Sequence, residues 1–156
     1  MTVFEQIKQK LLEEQVDFIT KEHPNEPHAS EAAVGFDPDS APHHEGAKAI
    51  VVKGKKSEDF YLFVLPDDLK LDQKKVKDVL GERWSFAEYQ EVIDVTKCIP
   101  GSVPPFGSVI GLRTMIDKKF EEEKDVFFNA GSLTHSIRMS YHDYFRAEKP
   151  LVVDVT

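Results

Sequence analysis

The chain has 156 residues, of which 40% are hydrophobic and 31% charged, and a formal net charge of −8 at pH 7. This length suits a single folded domain, so we treat 1–156 as one unit. The acidic balance argues against broad, non-specific binding to nucleic acid, because such binding depends on neutralising phosphates. Two lysine clusters, within 48–56 and 70–77, are typical of solvated faces and leave a local contact with an acceptor stem open.

No apolar run approaches the roughly 20 residues that cross a bilayer, so we expect no membrane contact. The first residues lack the basic region and apolar core of a secretory signal. A single cysteine, Cys98, excludes an internal disulfide and is typical of a reducing compartment. The sequence therefore predicts a cytoplasmic protein.

The first half of the chain is predicted to alternate helices and strands. Apolar residues at helical spacing predict an amphipathic helix over 2–15, and 18–21 is predicted as a short strand. The sequence Ser30-Glu-Ala-Ala resembles the opening of a short helix, and 37–46 is predicted as a flexible loop.

The middle and last parts of the chain are predicted to be rich in strands. Segments 47–53 and 60–65 form a hairpin, and a helix over 73–80 begins after Asp72 and is stopped by Gly81. Ser85 and Glu88 have capping-box spacing, which predicts a helix to about 93 that Trp84, Phe86 and Tyr89 pack onto the sheet. The remaining predictions are strands at 108–116, 125–129, 136–140 and 151–155, and a short helix near 141–146. Because the helices are too short for a doubly wound parallel fold, we expect an α+β fold: a mixed, largely antiparallel, barrel-like sheet flanked by short helices.

The segment from Ile99 to Gly107 (Ile-Pro-Gly-Ser-Val-Pro-Pro-Phe-Gly) combines three prolines and two glycines in nine residues. Proline fixes φ and lacks an N–H group, whereas glycine admits positive φ and a close approach of the backbone. The alternation predicts a stiff loop whose free N–H groups point at a ligand. A rigid turn with a purely structural role is the alternative.

The stretch Gly101-Ser-Val-Pro-Pro-Phe-Gly107 resembles the glycine–proline loop of the YbaK/prolyl-tRNA synthetase-associated editing domains. Other pieces follow that family's order: Ser30-Glu-Ala-Ala, a lysine opening a strand at Lys48, a second glycine loop over 128–135, and a terminal strand at 151–155. The resemblance runs from about residue 18 to the C-terminus. It implies a mixed barrel flanked by helices and the hydrolysis of mischarged aminoacyl-tRNA in trans.

The resemblance also implies the site. Its catalytic residues would be Lys48, Gly101 and Gly131. Lys48 would hold the terminal phosphate or ribose, polarise the carbonyl, or transfer a proton. Its substrate-binding residues would be Ser30, Ser102, Val103, Pro104, Pro105, Phe106, Asn129, Ser132 and His135. Without the resemblance, the second glycine loop is equally well interpreted as a simple turn between strands.

The implied chemistry needs no strong nucleophile, because an aminoacyl ester is already activated. Orienting a water and stabilising the oxyanion with backbone N–H groups gives a useful rate. In the family the ribose 2′-hydroxyl of the terminal adenosine assists. The implied partners are the acceptor end of an aminoacyl-tRNA and, as an open alternative, a synthetase; no cofactor is expected. Two other functions stay open: an inactive module that binds tRNA or a synthetase, and a hydrolase of another small ester.

Alanine-specific members of the family carry Asn after the active-site lysine and His-Pro in the second loop. Here Ala49 and Gly131-Ser132 stand at those positions, which argues against alanine specificity. Three other constellations are weaker predictions. His43 and His44 lack supporting ligands for a metal, so no metal site is expected. Cys98 has no paired base, and Ser136, His142 and Asp143 lie too close along one segment to converge as a hydrolytic triad.

Overall fold

A computed structural model describes residues 1–22, 46–120 and 124–156. Its helices are α1 (Val3–Glu13), α2 (Gln73–Leu80), α3 (Tyr89–Thr96), α4 (Gly107–Ile110) and α5 (Tyr141–Glu148). Its strands are β1 (Phe18–Glu22), β2 (Ala47–Gly54), β3 (Phe60–Pro66), β4 (Trp84–Phe86), β5 (Thr114–Asp117), β6 (Asp125–Asn129), β7 (His135–Ser140) and β8 (Leu151–Val153). Among the described residues, no helix is long and apolar enough to span a bilayer.

The strands of the described residues form two open sheets rather than a closed barrel. The first has the order β1-β7-β6, and the second has the order β4-β2-β3-β5-β8. Pairing is antiparallel except that β5 runs parallel to both β3 and β8. An isolated bridge between Gly46 and Phe127 joins the sheets where β2 begins. The mixed, largely antiparallel α+β architecture is thus confirmed, while barrel closure is not observed.

The central strands of the five-stranded sheet pack against apolar residues on both faces, because successive side chains along a strand point to opposite faces. In β2 and β3, Val51, Leu62 and Val64 face the larger core, which also receives Ile7 and Leu11 from α1. Their neighbours face a smaller core made by Val52, Phe63, Val76, Trp84, Met115 and Val155. Because both faces of these central strands are covered, a ligand reaches them most directly at an unpaired strand edge.

Most predicted elements are confirmed, including the hairpin of β2 and β3 and the helix capped by Asp72 and stopped by Gly81. The capping-box prediction was wrong. Residues 84–86 form β4 against β2, and the helix begins later, with Glu88 as its N-cap and Glu91 completing the box. Phe86 and Tyr89 are exposed rather than packed between helix and sheet, whereas Trp84 is buried.

The predicted strand over 108–116 was wrong in its first half. Residues 107–110 form the short helix α4, which ends at Gly111 with a left-handed φ of 78°, and β5 begins only at Thr114. The predicted helix at Ser30, the loop over 37–46 apart from Gly46, and the His43-His44 pair lie outside the described residues.

Candidate active site

The site is built at a gap along one edge of β2. At one end of this edge Gly46 meets β6, and at the other end Val52 to Gly54 pair with β4. Between them no described strand pairs with Lys48, Ala49 or Ile50 on that side. The N–H of Ala87 donates to the carbonyl of Val51 at this edge (3.0 Å). Because alternate residues of a strand present their polar groups to the same edge, the backbone N–H and C=O of Ala49 face the gap.

A cavity of about 220 Å³ opens at this gap. It is lined by Ala47, Lys48, Ala49, Ile50, Asp67, Gly101, Val103 and Asn129. The fold therefore brings Lys48, Gly101, Val103 and Asn129 together, although they come from three separate parts of the chain.

Two carbonyl contacts join the glycine–proline loop to the second glycine loop. Asn129 Nδ2 donates to the Gly101 carbonyl (2.7 Å), and the Gly131 N–H donates to the Ser102 carbonyl (2.9 Å). Ser136 Oγ in turn donates to Asn129 Oδ1 (3.3 Å), and both side chains are buried. These hydrogen bonds therefore fix the position of Gly101, although glycine itself is conformationally free.

Both glycines that were predicted to be catalytic adopt positive φ. Gly101 has φ of +94°, and a Cβ there would lie 3.7 Å from Leu133 Cδ2, an ordinary contact. Gly131 has φ of +79°, and its Cβ would lie 2.6 Å from Val3 Cγ1 of α1, which is a clash. Gly101 is therefore required by backbone conformation alone, whereas Gly131 is required by conformation and space.

The N–H groups of the glycine–proline loop are not equally available. The N–H of Ser102 donates to the Ile99 carbonyl, and that of Gly107 donates to Thr114 Oγ1. Prolines have none to give. Among the cavity-lining residues of this loop, Gly101 and Val103 have N–H groups without an acceptor in the described part of the chain. These two amides are the loop's candidate hydrogen-bond donors for a ligand.

The side chains of Pro104, Pro105 and Phe106 are buried and do not line this cavity. Phe106 is fully buried, with its ring 5.2 Å from that of Tyr144, and the Tyr144 hydroxyl donates to the Pro105 carbonyl (2.5 Å). Burial raises the pKa of Tyr144 well above its usual value, so this hydroxyl keeps its proton as a donor. These three side chains are therefore packed in the interior of the protein and do not line the cavity, as predicted substrate-binding residues would.

Ser132 and His135 lie on a different, neighbouring cavity of about 660 Å³, between α1 and the segment 97–102. Ser132 Oγ is 3.0 Å from His135 Nδ1 and 3.0 Å from Thr134 Oγ1. The His135 ring lies 4.5 Å from that of Phe4. Ser102 also lines this cavity but buries its hydroxyl against the Ile99 carbonyl. Ser30, the remaining predicted residue, lies outside the described residues.

Two residues of opposite charge, Lys48 and Asp67, line the smaller cavity. Lys48 and Asp67 are both partly buried, and no described residue forms a salt bridge with either. Asp67 was not among the predicted site residues. Its N–H donates to the Gly46 carbonyl (2.8 Å), which continues the β2–β3 register by one residue. Extending the predicted hairpin by this residue would have located Asp67 beside the start of β2.

Cys98 is buried beneath the loop, and its N–H donates to Thr96 Oγ1 (3.0 Å). Burial raises the pKa of this thiol, which disfavours the thiolate that a nucleophile needs. In the described part of the chain, no group of three or more metal-ligating side chains is found.

The family model of the aminoacyl-tRNA editing domain matches residues 23–147. The multifunctional Ser/Thr-tRNA deacylase ProXp-y of Escherichia coli K12 is 34% identical over 114 residues, which cover 70% of this chain and 68% of that protein. The same figures hold for ProXp-y of Escherichia coli O157:H7. The fold is shared with a proposed trans-editing enzyme for prolyl-tRNA synthetase, at a TM-score of 0.82, 22% identity and coverage of 100% and 98% of the two chains. A structure described only as a hypothetical protein gives a TM-score of 0.82 at 20% identity, over 96% and 97%. The chain belongs to the aminoacyl-tRNA editing domain family.

Proposed function

We propose that this chain is a deacylase that hydrolyses the ester of a mischarged small amino acid on tRNA, acting in trans in the cytoplasm. Seryl- and threonyl-tRNA are the proposed substrates, because ProXp-y, 34% identical over 114 residues, is named a Ser/Thr-tRNA deacylase. Ala49 and Gly131-Ser132 agree with this choice, since alanine-specific members differ there. An aminoacyl-tRNA synthetase is a second proposed partner, besides the acceptor end of the tRNA.

The observation that carries the proposal is the convergence of Lys48, Gly101 and Asn129 on one cavity at the open edge of β2. In the proposed reaction a water oxygen bonds to the ester carbonyl carbon. The N–H groups of Gly101 and Val103 donate to the carbonyl oxygen as it becomes negative. The ester C–O bond then breaks, and its electron pair leaves on the ribose oxygen, which takes up a proton from the attacking water. The neighbouring 2′-hydroxyl of the substrate assists this transfer.

The two charged side chains match the two charges of the substrate. The ammonium of Lys48 is proposed to bind the phosphate or ribose next to the ester, or to polarise the carbonyl directly. The carboxylate of Asp67 is proposed to pair with the α-ammonium of the amino acid, which holds the ester toward Gly101. Each pairing satisfies a group that has no partner of opposite charge within salt-bridge distance among the described residues.

The cavity also suits a small amino acid. Its volume is about 220 Å³, and alanines at 47 and 49 form part of its wall. One methylene changes binding by only about 1–3 kcal/mol, so several small amino acids are expected to be accepted with different efficiencies.

The test is deacylation of tRNAs charged with serine, threonine, alanine, cysteine or proline by the wild-type protein and by Lys48→Ala. Lys55→Ala is the matched control, because Lys55 is an exposed lysine at the end of the same hairpin and does not line the cavity. Hydrolysis of seryl- or threonyl-tRNA that is lost only in Lys48→Ala supports the proposal. Binding of tRNA without hydrolysis of any ester would replace it with an inactive binding module.

A further inference from the structure

A second cavity adjoins the first one and has a different chemical character. It has a volume of about 350 Å³ and contains no charged side chain. Its lining includes Phe86, Ala87 and Tyr89 from the segment that begins with β4. Ala49, Ile50, Gly101 and Val103 line both cavities, so the two open onto the same stretch of β2 and the same loop.

Two exposed aromatic side chains border this second cavity. Phe86 is 55% exposed and Tyr89 is 63% exposed. Phe86 ends β4, opposite Val52, and its ring packs edge-on against buried Trp84 at 5.1 Å. Tyr89 is the first residue of α3 and follows Ala87 by two residues. The N–H of Ala87 donates to a carbonyl of β2. The backbone under both rings is therefore anchored to β2, although neither ring is needed to fill a core.

We propose that Phe86 and Tyr89 form a stacking platform for the terminal adenine of the tRNA acceptor end. This inference rests on the proposed function. Two parts of the substrate extend from the ester bond, the amino acid and the terminal adenosine. The cavity with Lys48 and Asp67 suits the charged amino acid, and the adjoining uncharged cavity, which shares Gly101 with it, suits the base. Aromatic side chains bind bases by stacking, with little dependence on base identity.

The charge of the protein favours the same occupant. A net charge of −8 argues against a large gain in affinity from non-specific neutralisation of tRNA phosphates, although local contacts such as that proposed for Lys48 remain. Lys53 of β2, which lies opposite β4, forms a salt bridge with Glu91 of α3 at 2.9 Å and is therefore already paired. Stacking supplies affinity that does not require free cations, and it is therefore expected to resist added salt.

A binding experiment tests the platform without requiring turnover. The wild-type protein is titrated with adenosine 5′-monophosphate and with ribose 5-phosphate while the aromatic NMR signals are followed. The ring signals of Phe86 and Tyr89 are expected to shift with the adenylate and not with the sugar phosphate. Equal effects of the two compounds, or adenylate binding that leaves both rings unshifted, would overturn the inference.

Kinetics provide the second measurement. Phe86→Ala and Tyr89→Ala are each expected to lower kcat/KM for seryl-tRNA roughly 5- to 150-fold, mainly through KM, while Tyr89→Phe keeps it. Phe145→Ala is the matched control, because Phe145 is also an exposed aromatic beside a buried one and lines none of these cavities. If wild type deacylates and the alanine variants keep its KM, the platform is wrong while the function stands. If wild type hydrolyses no ester, the proposed function fails, and the titration still decides the platform.

Discussion

Replacing Gly101 with alanine separates the role of this loop in catalysis from its role in folding. The φ of +94° is in the region that L-residues avoid, while a Cβ would make only an ordinary 3.7 Å contact with Leu133. The conformational cost is about 1–2 kcal/mol. Alanine also reduces the conformational entropy of the unfolded chain, and this effect offsets roughly 0.4–1 kcal/mol of the conformational cost. The expected loss in free energy of unfolding is therefore about 1 kcal/mol, small against the roughly 5–15 kcal/mol of a typical domain.

The same strain has a larger effect on activity. We expect the backbone of Gly101→Ala to rotate to relieve this strain, which would move the Gly101 and Val103 amides and stretch the 2.7 Å bond from Asn129. Loss of one oxyanion donor costs about 10²- to 10³-fold in rate, so we expect a loss of that size in kcat/KM for seryl-tRNA. The assay is single-turnover deacylation, with urea unfolding measured on the same preparation.

Gly81→Ala is the control, because Gly81 has a similar φ of +73°, has no atom within 4 Å of where a Cβ would lie, and ends α2 away from the cavity. Both variants are expected to lose similar stability, and only Gly101→Ala is expected to lose activity. Activity of Gly101→Ala within about threefold of wild type, or an equal loss in Gly81→Ala, would refute the assignment of the loop.

Three further predictions concern the groups around the loop. Tyr144→Phe removes the bond to the Pro105 carbonyl and leaves a buried acceptor unsatisfied, so the free energy of unfolding should fall by about 1–3 kcal/mol in denaturant titration; an unchanged midpoint would contradict this. Burial raises the pKa of the Cys98 thiol, so at pH 8 this thiol should react with iodoacetamide much more slowly in the folded protein than in the unfolded chain, and the rate should increase toward higher pH. Cys98→Ala should stay active. Rapid labelling of the folded protein would count against a packing role for Cys98. Asp67→Asn should raise KM for seryl-tRNA about tenfold with little change in urea stability, and an unchanged KM would exclude the pairing with the α-ammonium.

The local elements were predictable because local signals agree with the tertiary structure. In α2 the Asp72 cap and the Gly81 stop act within the helix itself, and both predictions are confirmed. The errors occur where pairing with a distant strand decides the outcome. Residues 84–86 extend because Phe86 pairs with Val52, a contact that capping-box spacing cannot reveal. The short apolar run after Gly107 is compatible with helix or strand. The hydrogen bond from the Gly107 N–H to Thr114 Oγ1 forms only in the folded chain, so the sequence pattern does not reveal it.

In the candidate site, too, features set by local sequence were predictable and features set by distant pairing were not. The glycine–proline loop could be recognised as a special backbone from its composition alone, and its positive φ at Gly101 agrees with that interpretation. The meeting of this loop with Lys48 was implied only by the family resemblance, because it depends on a gap in the pairing of β2. Phe86 and Tyr89 are exposed, contrary to the prediction that they pack a helix onto the sheet, because 84–86 form a strand at the edge of the sheet and α3 begins only at Tyr89.

The most direct measurement is the rate of seryl-tRNA deacylation by wild type, Lys48→Ala and Lys55→Ala at equal, saturating enzyme concentration. Wild type and Lys55→Ala are expected to release serine at the same rate, and Lys48→Ala should be slower by about 100-fold or more while keeping its urea midpoint. Near wild-type release by Lys48→Ala would contradict the placement of the active site at the open edge of β2.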